Sequence, residues 1–257
     1  MILACDIGNT NIAVGLFSGR SLVLKSCLST DKSAHFKSFL RNCIKARNIR
    51  PNQIEAAVIC SVVPSVNKTI EKSIKGVAAA AVYVLGENLE VPIKNLYANP
   101  GHVGQDRLAC AFGARRLYGA PVLTIDLGTA ITFDVVSRKG EYLGGIILPG
   151  LNLSLSALHR QTALLPEIGL HSVKALIGRD TASSMLSGVT FGFGAMIDGL
   201  IDKLRERVGK RAKVVAAGGD SLFIKPYCRQ VDYFDPDLVL KGIAELARIE
   251  KILKKNA

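Results

Sequence analysis

Tryptophan is absent from this 257-residue chain, and only 6% of it is aromatic. A core must therefore be packed from aliphatic side chains. At 49% hydrophobic content there are enough of them for one large domain or two of roughly 100–150 residues. No two of the six cysteines, at 5, 27, 43, 60, 110 and 228, lie two or three residues apart, which leaves out zinc ribbons and CxxC redox sites. They stand in apolar runs such as LACDI and AVICSVV, the setting of small buried hydrophobes in a reducing compartment. Asp6 interrupts any apolar leader, and no apolar run reaches the roughly 18 residues of a membrane span. A cytoplasmic setting with no membrane partner is expected.

Two familiar nucleotide signatures are also missing. There is no GxxxxGK[ST], which excludes a P-loop, and no GxGxxG opening a helix after the first strand, which argues against a Rossmann site. The four histidines, at 35, 102, 159 and 171, have no ligand spacing. Net charge is +12, yet no block of five or six like charges occurs. That balance favours anionic partners such as nucleotides and acidic metabolites. Lys37, Arg41 and Lys45 form a basic stripe at spacing four in SAHFKSFLRNCIKAR, and a solvated helix face explains it. With no helix-turn-helix or Arg-rich arm, nucleic acid is not an expected partner.

What the chain does have is an internal echo. VLTIDLGTAITFDVV at 122–136 repeats ILACDIGNTNIAVGLF at 2–17, with Asp126 120 positions after Asp6 (126 − 6). Each copy has an apolar strand ending in Asp-x-Gly, then a Thr, then a second apolar strand. One gap pairs Asp6 with Asp126, Gly8 with Gly128 and Thr10 with Thr129. A single repeat at this distance implies two similar domains, divided near 119 into 1–119 and 120–257. In the first, strands are expected at 21–28, 56–63 and 80–85 and helices at 33–47 and 65–75. In the second, strands are expected at 121–126, 130–136, 141–148 and 212–217, and helices near 150–160, 182–208 and 237–254. Three antiparallel strands followed by alternating helix and strand make a layered α/β domain.

The Asp-x-Gly turns admit two readings. Asp can cap its own hairpin backbone. Alternatively, glycine lets the backbone approach a phosphate, successive N–H groups form an anion-binding concavity, and Thr10 and Thr129 add hydroxyls. Asp6 and Asp126 would then need a cation between carboxylate and phosphate. Two copies at equivalent points of a repeat favour this second reading, with the turns facing each other across a cleft. A third stretch, YANPGHVGQDRLACAFGARRLYG at 97–119, runs from a Pro/Gly loop into a helix. Asp106 is either a helix-start residue or an ionised carboxylate, favoured by the helix dipole, that accepts a hydroxyl proton in phosphoryl transfer. Arg107 offers a fork for a substrate carboxylate. Cys110 reads as core. GGIILPG at 144–150 serves close packing or a hinge, GGDSLF at 218–223 a turn or a shelf for a flat ligand, and GRDT at 178–181 a helix cap at Asp180 or Thr181.

Together DIGNT, GQDR, DLGTA, GGIILPG and GRDT resemble type III pantothenate kinase, of the acetate-and-sugar-kinase/Hsc70/actin superfamily, from residue 2 to about 250. The resemblance implies two ribonuclease-H-like, actin-like ATPase domains with a cleft between them. It implies ATP-dependent phosphorylation of pantothenate to 4′-phosphopantothenate, the first step towards coenzyme A, by a homodimer. By that resemblance Asp6, Ile7, Gly8, Asn9, Thr10, Asn11, Ile12 and Ala13 contact ATP, with Asp6 near Mg²⁺, and Thr129 also touches ATP. Tyr97, Gly104, Gln105, Asp106 and Arg107 line the pantothenate pocket, and Asp106 is the base. Asp126 helps hold a monovalent cation, K⁺ or NH₄⁺, and Thr181 reaches the substrate across a dimer interface. Another small-molecule kinase of the superfamily, or a non-catalytic accessory transcriptional regulator, are the rival readings.

Overall fold

The structure, a computed structural model, describes residues 1–255 and the side chains of residues 1–249. The chain begins with strands β1 (Ile2–Ile7), β2 (Asn11–Ser18) and β3 (Ser21–Ser29). A 3-10 turn (Thr30–His35) leads to helix α1 (Phe36–Ala46), then β4 (Ala56–Ser61), α2 (Pro64–Lys75), β5 (Ala81–Val84) and α3 (Gln105–Tyr118). The series then restarts with β6 (Val122–Leu127), β7 (Ala130–Val136), β8 (Tyr142–Pro149) and α4 (Leu151–Arg160). Helix α5 (Thr181–Ser187) passes through a π-turn (Gly188–Gly192) into α6 (Phe193–Val208). β9 (Lys213–Ala217), the short α7 (Ser221–Ile224), β10 (Tyr233–Phe234) and α8 (Leu238–Lys255) complete it. The π-turn, α7 and β10 are too short or irregular to leave a periodic trace in the sequence.

The two sheets share one plan. The first runs β3-β2-β1-β4-β5 and the second β8-β7-β6-β9-β10. In each, the first three strands form an antiparallel meander, and the fourth and fifth add in parallel. Even the irregularities repeat. A register shift falls between Leu16 and Phe17 in β2, and another between Val135 and Val136 in β7. Past the one-residue gap these are the same positions (16 + 119 = 135). The hairpin absorbs the gap: Ile7 pairs with Ile12, whereas Leu127 pairs with Ile131.

By contacts the chain forms two compact units. One comprises Met1–Ile93, Ala98–Arg116 and the chain from Leu238; the other comprises Lys94–Tyr97 and Leu117–Asp237. The units depart from a single division at 119 in two segments. Helix α8 packs on β1 and β4 in the first unit, and Lys94–Tyr97 pairs with Tyr142 in the second. Both are long-range associations that a linear pattern does not reveal.

In the first unit, alternation sends Leu3, Cys5 and Ile7 of β1 into one core with Ile12, Val14 and Leu16 of β2. Phe36, Leu40 and Ile44 of α1 close that core at spacing four. Lys37, Arg41 and Lys45 are exposed, so the basic stripe is a solvated face. On the other side α3 is buried almost all round from Leu108 to Ala114. The second unit packs Leu123, Ile125 and Leu127 with Ile131 and Phe133 against α4–α6. There the continuous rod Thr181–Val208 is long and apolar enough by length and composition to cross a membrane, with an 18-residue window of mean hydropathy 1.4. Its Met185, Leu186, Val189, Ile197 and Ile201 are buried in the second core, which accounts for that apolarity. The cysteines depart in part from expectation: Cys5, Cys60 and Cys110 are buried, but Cys27 is exposed on β3, and Cys43 and Cys228 are half-buried.

Candidate functional site

Asp6 is the last residue but one of β1, where it pairs with Ala13 of β2 and Cys60 of β4. The chain then turns through Gly8–Asn11, and the Gly8 N–H donates to the Asn11 carbonyl at 2.9 Å. Asn9, Thr10 and Asn11 are exposed and Asp6 is half-buried, so this turn carries its polar groups to the surface of the unit. Two of the expected ATP contacts narrow. Ile7 and Ile12 are 0% exposed in the core, backbone included, and the Ile7 carbonyl already accepts from the Val62 N–H at 3.0 Å. Ala13 shares Asp6's face, as its pairing requires. A residue outside the motif holds the turn from behind. The Thr30 N–H donates to the Thr10 carbonyl at 3.0 Å, and the Thr30 hydroxyl donates to the Gly8 carbonyl at 2.8 Å.

Asp106 occupies the first turn of α3, where its Oδ1 accepts from the Arg107 N–H at 2.8 Å. A Cβ on Gly104 would collide with that carboxylate and come within 3.8 Å of Val62 Cγ1. Glycine at 104 is therefore what lets the carboxylate fold back over the incoming loop. Gln105 lies along the turn after β5. Gly86 there has φ +82°, and a Cβ on it would stand 3.1 Å from Gln105 Nε2. That turn is fastened by the Val84 N–H donating to Asn88 Oδ1 at 2.7 Å, a support invisible to motif reading.

Burial pushes the Asp106 carboxyl above its ordinary value, against the Arg107 N–H and the Arg107 charge, which pull it down. The helix dipole alone favours the charged form; desolvation outweighs it here. Cys60 shows how this carboxyl relates to Asp6. Its buried thiol is pushed well up, first by burial and then by the charges of Asp6 and of Asp106. Cys60 is Asp6's ladder partner, so carboxylates 100 positions apart (106 − 6) both act on one buried thiol of the first unit. Cys110 is buried in the same surroundings, as a core residue should be.

In the second unit Asp126 pairs with Thr132 and Ala217. The Gly128 N–H donates to the Ala130 carbonyl at 3.1 Å, and the Gly150 N–H donates to the Thr129 carbonyl at 3.0 Å. Any Cβ on Gly150 would collide with the carbonyls of Gly128 and Thr129. The last glycine of GGIILPG thus serves close approach to the exposed Thr129 turn. Gly144, at φ +117°, is faced by the Tyr97 ring, 3.3 Å from where a Cβ would stand. Gly218, at φ +85°, presses on the Asp126 carboxylate and the Leu127 carbonyl, while Gly219 has open space beside it. The next carboxyl, Asp220, is pushed up by burial.

The cap of α5 is Asp180. Its side chain accepts from the Ser183 N–H at 2.8 Å, while Ser183 Oγ accepts from the Asp180 N–H at 3.2 Å. Thr181 is the first helical residue and is exposed. Close by in the chain, Leu176 and Ile177 are 65% and 80% exposed, and Leu164 is 91% exposed. A cavity of about 620 Å³ opens among Pro149, Leu158, Met185, Val189 and Phe193.

Among the described residues no group of three or more His, Cys, Asp or Glu could hold a metal ion. Single carboxylates beside exposed turns suit a cation completed by phosphate oxygens and water rather than a dedicated protein cage.

Two α/β units with one repeated strand plan, each opening on an Asp-x-Gly hairpin, define an actin-like kinase or ATPase architecture. Solved structures show the same fold. The chain is similar to an activator of 2-hydroxyisocaproyl-CoA dehydratase from Clostridium difficile with bound ADPNP, at 12% identity and TM-score 0.54, over 99% of this chain and 97% of that one. It is also similar to a protein described as a Baf family transcriptional activator from Campylobacter jejuni, at 21% identity and TM-score 0.62, over 97% and 98%. Residues 2–203 match the type III pantothenate kinase family. A type III pantothenate kinase of Finegoldia magna is 36% identical over 98% of both chains, and one of Moorella thermoacetica is 34% identical over 95% of this chain and 97% of its own. The chain belongs to the type III pantothenate kinase family.

Proposed function

We propose that this chain transfers the γ-phosphoryl group of ATP to the hydroxyl of pantothenate, giving 4′-phosphopantothenate for coenzyme A synthesis. The observation that carries this reading is that the end of β4 meets both segments: Cys60 pairs with Asp6, the Val62 N–H donates to the Ile7 carbonyl at 3.0 Å, and Gly104, over which the Asp106 carboxylate folds, faces Val62. The segment Asp6–Ala13, through its exposed Asn9, Thr10 and Asn11, holds ATP phosphates, as does the Thr129 turn. Asp6 holds Mg²⁺, which when bound neutralises phosphate charge. Asp126 holds K⁺ or NH₄⁺.

Asp106 acts as the base. As the pantothenate oxygen forms its bond to the γ-phosphorus and ADP leaves, an Asp106 oxygen takes the hydroxyl proton. A carboxyl raised by burial is a stronger proton acceptor than an ordinary one, provided the pH keeps it ionised. Arg107 pairs with the pantothenate carboxylate, and Tyr97, Gly104 and Gln105 complete the pocket. The protein works in the cytoplasm as a homodimer. Exposed Leu176 and Ile177 beside Thr181 support an interface there, which brings Thr181 to the partner's substrate.

Purified protein is to be assayed for ADP release with and without pantothenate, in K⁺ and then in Na⁺. Pantothenate-dependent turnover that collapses in Na⁺ is expected. ADP release that ignores pantothenate but follows another alcohol would overturn the substrate.

A further inference from the structure

We infer that Thr30 is a positioning residue for ATP, holding the Gly8–Asn11 turn in the orientation that presents its amides to phosphate. This rests on the proposed role of that turn. Thr30 stands just after β3, is only 8% exposed, and belongs to no recognised motif. Its N–H and its hydroxyl take hold of two different carbonyls of the turn, those of Thr10 and Gly8.

A planar trans peptide points its C=O and the following N–H in opposite directions. The peptide bonds after Gly8 and after Thr10 are both trans. Drawing the Gly8 carbonyl towards Thr30 therefore aims the Asn9 N–H away from it, and drawing the Thr10 carbonyl does the same for the Asn11 N–H. Both amides then lie on the side away from Thr30, as an anion-binding turn requires. A flipped peptide would instead offer a carbonyl oxygen to the phosphate, and the two would repel. The hydroxyl bond guards against that flip at Gly8, where the absence of a side chain makes rotation easiest.

The repeat shows which part of this clamp is general. In the second unit the Gly150 N–H holds the Thr129 carbonyl as the Thr30 N–H holds that of Thr10. The positions correspond, 120 apart for the donors (150 − 30) and 119 for the acceptors (129 − 10), the difference being one extra residue in the β7–β8 turn, where Val136 pairs with Tyr142 whereas Phe17 pairs with Leu22. The backbone bond is thus a property of the fold. The hydroxyl bond is an addition of the first unit, since Gly150 has no room for any side chain.

Thr30→Val keeps the shape and the N–H and removes the hydroxyl; Thr30→Ser keeps both hydrogen bonds. Thr30→Val is expected to raise the ATP KM, and the MgATP Kd by titration calorimetry, about five- to tenfold. The pantothenate KM should stay within about twofold of wild type, and Thr30→Ser should restore ATP affinity. Melting curves confirm that both variants are folded at the assay temperature. Unchanged ATP affinity in Thr30→Val, equal losses for both substrates, or failure of Ser to rescue would each overturn the inference. If wild type binds MgATP but does not phosphorylate pantothenate, the assigned reaction falls while the Kd series still decides the role of Thr30. If wild type binds no MgATP, both fall.

Discussion

Gly113 of α3 and Gly242 of α8 meet backbone to backbone: a Cβ on Gly113 would stand 2.8 Å from Gly242 Cα, and one on Gly242 would collide with the Ala109 carbonyl. Two glycines let α8 lie directly on the helix that carries Asp106 in its first turn. This contact fixes α8 in the first unit, although 119 residues of other structure, 119–237, separate it from α3 (238 − 118 − 1).

Gly242→Ala is therefore expected to destabilise the protein by about 1–3 kcal/mol, since backbone atoms cannot yield as a flexible side chain would. Gly199→Ala in α6 supplies the contrast. Nothing lies within 4 Å of its added methyl, so the better helix former should be neutral or stabilising by up to about 1 kcal/mol. Urea unfolding of both variants checks the opposite signs.

Asp106→Asn should cost at least about 100-fold in turnover while leaving the MgATP Kd largely unchanged. Full activity would remove Asp106 from the role of base. In wild type, kcat/KM for pantothenate should rise with pH along a limb whose midpoint lies above the ordinary carboxylate range, because the raised carboxyl must ionise before it accepts a proton.

The same raised carboxyl gives a stability prediction of opposite sign. The folded state holds the Asp106 proton more tightly than the unfolded chain does. Stability therefore falls as pH rises from about 4, the unfolded value, through the higher folded value. Asp106→Asn removes that cost. The variant should melt higher than wild type at neutral pH, with the difference shrinking towards pH 4. Equal melting temperatures at pH 7 would show that the carboxylate is not desolvated.

Asp180→Ala and Thr181→Ala should separate adjacent residues. Asp180 is lowered by its bond from the Ser183 N–H, so its cap strengthens the fold above the ordinary carboxylate range and fails as the pH drops through its own lower value. Its loss should lower the melting temperature at neutral pH. Thr181→Ala leaves the cap intact and should raise the pantothenate KM with little change in melting. Loss of stability in both would reduce GRDT to a cap alone.

Gly218→Ala should disturb the cation step. Its φ of +85° and its contact with the Asp126 carboxylate leave no place for a methyl, so the carboxylate must shift. Turnover titrated with KCl should show a raised K⁺ requirement. An unchanged K⁺ dependence would detach Asp126 from the monovalent cation.

Much of this was legible in the linear pattern for a local reason. Strands and helices follow from periodicities of two and 3.6, and a hairpin follows from a glycine turn between two apolar runs, so the repeat around Asp6 and Asp126 reads directly. GRDT is also local, and its cap is settled within four residues. Gly150, Gly144 and Gly218 show the limit. Each is an ordinary turn residue in the sequence, and each proves to be shaped by a partner it does not adjoin: the Thr129 turn, the Tyr97 ring and the Asp126 carboxylate.

The chain's own order of residues was enough to establish a duplicated α/β architecture, the two acidic hairpins, and Asp106 at a helix start. Tertiary structure alone decided that α8 returns to the first unit, that Tyr97 rests on β8, that Thr30 holds the first hairpin from behind, and that burial overrides the helix dipole at Asp106. The physical division is one of range. Backbone geometry and side-chain alternation are set by near neighbours, whereas desolvation, backbone contact at glycine and a hydrogen bond across 22 positions depend on which distant segments the folded core brings together.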